Sequence, residues 1–169
     1  MSKTYNVLIL CTGNSARSIL GEAVFNHQGG GKFFAYSAGS KPAGQPNPFA
    51  IDLLKRQGID TGFARSKSWD EFALPDAPKM DFVITVCDNA AAEECPYWPR
   101  TADHAPVSAH WGLADPAAVT GTDAEKALAF AETWRALTRR VQAFAALPIA
   151  TLDALGLKKH LKQIGEESA

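Results

Sequence analysis

Cysteine is scarce in this chain, net charge is almost nil and long apolar runs do not occur; each shortage removes a class of protein. Cys11, Cys87 and Cys95 are the 3 cysteines among 169 residues. They are too few, and odd in number, for the disulfide framework of a small secreted domain. In a reducing compartment they begin as thiols, and a free cysteine is ordinarily a small buried hydrophobe. Any chemical role must therefore come from the surroundings. The 17 Lys and Arg against 18 Asp and Glu leave a formal charge of -1, and no stretch is dense enough in basic residues to track a phosphate backbone. Nucleic acid is thus not the expected ligand, and a small molecule is. The apolar run that opens the chain, Val7 to Leu10, is far shorter than a signal-peptide core or a membrane span. The expectation is a cytoplasmic protein with no membrane partner. An apolar fraction of 46% and a charged fraction of 21% are ordinary for a globular protein, and the length suits one domain, 1–169, acting as a monomer.

Tyr5 to Leu10 (YNVLIL) is apolar and free of Gly and Pro, as in a buried central strand. Small polar residues follow Cys11 as far as Ser18. Ile19, Leu20, Ala23 and Val24 then recur at helical spacing up to Gly29-Gly30-Gly31. Phe33 to Ser37 reads as a second strand, Phe49 to Gln57 as a short helix closed by Gly58, and Asp81 to Cys87 as another core strand. Ser68 with Glu71 has the spacing of a capping box, which predicts a brief helix to Leu74. Asp88 to Glu94 reads as a further helix opening, and Ala105 to Ala109 as a weaker strand. Phe130, Trp134, Leu137, Val141 and Phe144 form the apolar stripe of a long helix capped by Thr122 or Asp123, and Thr151 to Ile164 forms a last surface helix. Strands alternating with crossover helices predict a parallel sheet, with ligands bound beyond the carboxyl ends of its strands. Cys11 and Cys87 both stand at such ends.

Cys11-Thr12-Gly13-Asn14-Ser15-Ala16-Arg17-Ser18 is C-x5-R-S between a strand and a helix start. A loop winding into a helix N-terminus turns backbone N–H groups inward and adds the positive end of the helix dipole, which makes a cradle for a tetrahedral oxyanion. The same field stabilises a thiolate, so Cys11 is expected to titrate below the ordinary thiol value of about 8.5 and to act as a nucleophile. Arg17 offers a planar fork for two anion oxygens, Ser18 a hydroxyl for the sulfur, and Gly13 the positive φ such a loop needs. Asn14, Ser37 and Ser40 are expected to brace the loop. Asp115-Pro116 suits a loop that aims a carboxyl group. Cys87, Cys95, His104 and His110 are spaced too widely for an ordinary zinc site, so no metal is expected.

CTGNSARS after an N-terminal strand resembles the anion loop of the low-molecular-weight protein tyrosine phosphatases and of the arsenate reductases built on the same fold. SAGS at Ser37 to Ser40, VCDNAAAEECPYWP at Val86 to Pro99 and HWGLADPA at His110 to Ala117 are similar to segments of the reductase branch. The resemblance implies a three-layer αβα fold around a four-stranded parallel sheet. It implies Cys11 as nucleophile, Arg17 and the amides of residues 12–18 as the oxyanion site, and Asp115 as general acid. Cys87 and Cys95 would be the resolving thiols that carry the oxidised state outward. Arsenate is the implied substrate, with no tightly bound cofactor and with thioredoxin or glutathione with glutaredoxin as the transient reductant. The phosphatases usually follow Asp-Pro with an aromatic residue, whereas Ala117 and Ala118 follow here. Glu22, Ser68 and Asp70 resemble positions that hold a monovalent cation in some reductases, although exposed polar residues are the simpler reading. The alternatives are a phosphatase working through phosphocysteine at Cys11, and a non-enzymatic thiol sensor or oxyanion-binding module.

Overall fold

The computed structural model describes residues 4–74, 76–86 and 106–167. Four strands, β1 (Tyr5–Cys11), β2 (Phe33–Gly39), β3 (Phe82–Thr85) and β4 (Val107–His110), form one sheet in the order β2-β1-β3-β4. Every pairing is parallel, as the alternation of strands and helices requires. The register sets Cys11 against Gly39, Leu10 against Thr85, and Thr85 against His110. The carboxyl ends of all four strands therefore lie along one edge, where the loop after Cys11 and the loop after His110 meet.

Helix α1 (Arg17–Gln28) returns from β1, and α2 (Pro48–Arg56) is capped by Asn47 Oδ1 accepting from the Phe49 N–H at 2.9 Å. Gly58 takes φ 75° just beyond the end of α2, the left-handed position that favours glycine. The long α3 (Asp123–Ala145) starts at Thr122, whose hydroxyl accepts from Glu125 N–H while Glu125 accepts from Thr122 N–H. Its predicted stripe is buried as a whole. Phe144, fully buried, sits within 4.8 to 6.2 Å of the rings of Phe25, Phe33, Phe82 and Trp111. Burying each such side chain stabilises the fold by about 1.5 to 3 kcal/mol. The opposite face of the sheet carries a smaller cluster of Leu8, Leu10, Ala38, Met80 and Val83, as the two-residue period of β1 dictates. The chain ends in α4 (Ala154–Glu167).

Three expectations shift. The segment after Ser68 forms only a 3-10 turn, Trp69–Phe72, and no reciprocal box: Ser68 Oγ accepts from Asp70 N–H, and Glu71 forks onto Arg65 at 2.8 and 2.9 Å instead. Strand β4 begins at Val107, which is registered to Phe82, the first residue of its partner. The last helix starts at Ala154, after a separate 3-10 turn at Ile149–Thr151. The predicted helix opening at Asp88 to Glu94 lies outside the described residues. So do Cys87, Cys95 and His104.

Candidate active site

The anion loop is held open by its neighbours. The carbonyls of Cys11, Thr12, Gly13 and Ser15 accept from the backbone N–H groups of Ser40, Lys41, Ala43 and Asn47 at 2.8 to 3.2 Å, and Gly13 O also accepts from Ser66 Oγ. A trans peptide places the N–H of the next residue opposite each carbonyl. The amides of Thr12, Gly13, Asn14 and Ala16 therefore face the other way, into the curve of the loop, and the Asn14 N–H reaches Cys11 Sγ at 3.2 Å. Gly39 permits this fit, since a Cβ there would lie 2.5 Å from Thr12 O and 3.0 Å from Asn14 N. The positive φ of the loop falls on Asn14, at 46°, and not on Gly13 as the sequence suggested. Asn tolerates that region better than other residues with a Cβ, and its side chain anchors the turn.

That anchor orders a chain of protons. Asn14 Oδ1 accepts from Lys67 N–H at 2.9 Å, which fixes the amide so that Nδ2 donates to Ser18 Oγ at 2.7 Å and to Ser37 Oγ at 3.0 Å. Ser37 passes its own proton to Glu22 Oε1 at 2.5 Å. Ser18, already accepting from Asn14, is left with one proton to direct at Cys11 Sγ, 2.9 Å away. A thiolate is an acceptor only, so the network favours the ionised sulfur. Asn14, Ser18 and Ser37 are fully buried and Cys11 nearly so.

Arg17, at the end of the loop, faces the segment that carries Asp115. Arg17 Nη1 donates to Leu113 O at 2.9 Å, and Nη2 lies 3.7 Å from Asp115 Oδ2. Asp115 is extended at φ -73° and ψ 110°, as the following proline demands, and its Oδ1 accepts from Ala117 N–H at 2.9 Å. One carboxylate oxygen is thereby tied down while the other faces Arg17.

The family model for low molecular weight phosphotyrosine protein phosphatase matches residues 6–160. The chain belongs to that family. Membership makes the protein an enzyme by descent. An arsenate reductase of Halalkalibacterium halodurans is 36% identical over 139 residues, covering 82% of this chain and 94% of the relative. A solved arsenate reductase in its phosphate-binding state superposes with a TM-score of 0.65 at 25% identity, over 85% of this chain and 98% of that one. The thioredoxin-dependent arsenate reductase of Corynebacterium glutamicum gives 0.54 at 26% identity, over 83% of this chain and 63% of that one. The four-stranded parallel sheet with its flanking helices is the fold of this family.

Two charged residues escaped the sequence reading. Lys67, not singled out from the sequence, buries its ammonium 3.8 Å from Glu22 Oε1, 3.4 Å from Ser37 Oγ and 3.0 Å from Arg65 O. Burial pushes the Glu22 carboxyl above its ordinary value, opposed by the Ser37 hydrogen bond and by the charge of Lys67. Burial pulls the Lys67 ammonium down, opposed by Glu22. Glu22 is therefore not the exposed helix residue it was expected to be: its counter-charge comes from the chain itself. Asp70 is exposed, and Ser68 spends its hydroxyl on Asp70 N–H. Arg140 is the second such residue, 1% exposed in α3 with Nη1 on Trp111 O at 2.9 Å. A signal existed, because Arg140 stands three residues from Leu137 and four from Phe144 on the buried stripe. His110, expected near the Asp115 loop, pairs its Nδ1 with Thr85 Oγ1 at 2.7 Å.

Proposed function

We propose that the protein is an arsenate reductase that forms arsenite through a relay of three thiols. The observation that carries this reading is the ordered hydrogen-bond chain ending on Cys11 Sγ, in a loop whose last residues lead into Arg17, itself 3.7 Å from Asp115. The arsenate reductases among its relatives support the choice of substrate. Arsenate sits on the inward amides of residues 12–18 and on the fork of Arg17. Cys11 attacks arsenic, and Asp115 protonates the oxygen that leaves as water, giving a thiol–arsenate adduct. Cys87 then attacks the sulfur of Cys11. The sulfur–arsenic bond breaks, its electron pair stays on arsenic, and arsenite departs as the Cys11–Cys87 disulfide forms. Cys95 attacks Cys87 in turn, which frees Cys11 and leaves an 87–95 disulfide for an external dithiol.

Two electrons pass from thiols to arsenic in each cycle, so the scheme requires a reductant and no resident cofactor. Thioredoxin is the reductant we assign, on the precedent of the Corynebacterium glutamicum relative. Activity supported by glutathione and glutaredoxin alone would replace that assignment. Among the described residues no helix is long and apolar enough to cross a membrane, and we place the reaction in the cytoplasm. Ala117 and Ala118 follow Asp115-Pro116 where the phosphatases usually carry an aromatic residue, which favours a bare oxyanion over phosphotyrosine. The test is arsenate turnover coupled to each reductant system, repeated with Cys87→Ser. Multiple turnover should vanish in that variant while any hydrolysis of an aryl phosphate persists. Aryl phosphate hydrolysis without arsenate reduction in the wild type would make the protein a phosphatase.

A further inference from the structure

We infer that Arg140 is a positioning residue for this reaction, holding the backbone that delivers Leu113 and Asp115 to the anion loop. The inference rests on the functional reading above for the role of Asp115, and on contacts for everything else. Arg140 lies inside the apolar stripe of α3, where a methionine would fill the same volume without the cost of several kcal/mol that burying an ion carries. Burial pulls its guanidinium below the ordinary arginine value, and the neighbouring charge of Arg139 adds to that. Among its contacts are two carbonyls of loop backbone: Nη1 donates to Trp111 O at 2.9 Å and to Gly112 O at 3.4 Å. These are consecutive carbonyls in a connection outside helix and sheet, where a buried acceptor needs a partner that secondary structure does not supply.

Two successive carbonyls turned onto one guanidinium nitrogen hold the chain leaving β4 from one side, while the N–H groups of Trp111 and Leu113 hold it from the other by donating to Thr85 O at 2.7 Å and Val86 O at 2.9 Å. The very next carbonyl, of Leu113, accepts from Arg17, and Asp115 follows two residues later with Oδ2 facing the same arginine. Arg140 and Arg17 thus hold the loop at its two ends, one from beneath and one from the anion site. The starting point of the loop is immobile as well. Trp111 is fully buried, stacked on Phe25 at 5.9 Å between ring centroids, and its Nε1 donates to Leu161 O of α4 at 2.9 Å. A shift at residues 111–112 is therefore transmitted to Leu113 and Asp115, and little else near the sulfur moves, because the Cys11 loop is braced separately by residues 40–47.

The experiment compares wild type, Arg140→Met, Arg140→Lys, Asp115→Asn and the Asp115→Asn/Arg140→Met double variant, each checked for a cooperative thermal melt. One readout is kcat for arsenate. The other is the concentration of inorganic phosphate that half-protects Cys11 from alkylation, which reports the cradle and Arg17 whether or not arsenate is reduced. Arg140→Met should lower kcat about 10- to 100-fold, the cost of a loop displaced by about 1 Å. In the Asp115→Asn background the same change should cost less than about twofold, because the group being positioned is already gone. Half-protection should need about three- to tenfold more phosphate, as Arg17 loses the Leu113 carbonyl that steers it. Arg140→Lys, which keeps the charge but lacks the fork, should fall between, and it supplies the comparison if the methionine variant does not fold. Equal losses of kcat in both backgrounds, or unchanged phosphate protection in a folded variant, would overturn the inference. A wild type that reduces no arsenate would sink the functional reading instead, with phosphate protection still deciding on Arg140.

Discussion

Charge removal at the Glu22–Lys67 pair gives the sharpest energetic prediction. The two groups lie 3.8 Å apart with side chains 10% and 7% exposed, so solvent screens them little. At an effective dielectric constant of about 20 their attraction is about 4 kcal/mol, while burial costs each ion several kcal/mol. The pair therefore contributes little net stability, yet either charge left alone beneath the Cys11 network is expensive. Lys67→Met and Glu22→Gln should each destabilise the fold by about 3 kcal/mol, which lowers Tm by roughly 6 to 12 °C in a chain of this length. The double variant should recover to within about 1 kcal/mol of the wild type. The dependence on pH distinguishes the two single variants. A carboxyl whose folded value is raised adds stability below its ordinary range and loses it as pH rises through the folded value; an ammonium whose folded value is lowered adds stability at high pH and loses it as pH falls. Lys67→Met should therefore regain stability as the solution is acidified from neutrality, and Glu22→Gln as it is made alkaline. Denaturant titrations across pH 5 to 10, an interval set by those two directions, read this out. Losses below about 1 kcal/mol in both single variants, or a double variant that shows their sum, would refute the argument that each charge is there to neutralise the other.

Two further substitutions test the cradle itself. Ser18→Ala removes the hydroxyl that points at Cys11 Sγ and should move the midpoint of pH-dependent alkylation of Cys11 upward by about one to two units, the worth of a hydrogen bond to a charged group; an unmoved midpoint would mean that the backbone amides alone stabilise the thiolate. Gly39→Ala places a methyl 2.5 Å from Thr12 O, where backbone on both sides has to yield. It should abolish phosphate protection of Cys11 while the aromatic core stays folded by near-ultraviolet circular dichroism, and retained protection would show that the loop is more pliant than its hydrogen bonds suggest.

How much of this was legible beforehand follows from how local each cause is. Strand β1 is announced by its own apolar residues, α3 by the stripe from Phe130 to Phe144 and a cap at Thr122 or Asp123, and the anion loop by eight consecutive residues after β1. Each of these depends on neighbours in sequence, and each folds as expected. Two of the misreadings have distant causes. Glu71 had the spacing to close a box with Ser68, but Arg65 offered a fully charged bidentate partner, which outweighs a neutral N–H. Strand β4 starts at Val107, paired with Phe82 and directly after Pro106, which has no N–H for a ladder; Ala105, the expected first residue, lies outside the described residues. The positive φ went to Asn14 and not to its neighbour Gly13 because Asn14 repays the strain with hydrogen bonds to Ser18, Ser37 and Lys67, the last of them 53 positions away.

The same reasoning explains why the buried charges were hard to read. The stripe of α3 marks the position of Arg140 but not its partners, and nothing local marks Glu22 or Lys67, since burial is tolerable only once a partner is present and the partners here are remote: Lys67 for Glu22, and the carbonyls of Trp111 and Gly112 for Arg140. These residues are also the ones tied to the chemistry. Glu22 orients Ser37, which accepts from Asn14, and Asn14 itself donates to Ser18 beside the sulfur; Arg140 sets the loop that carries Asp115. The motif thus identifies the atoms that react, while the residues that hold them at working distance follow from the fold alone. A chain bearing the same eight-residue loop without these buried partners should fold a cradle of similar outline and hold its nucleophile less firmly ionised.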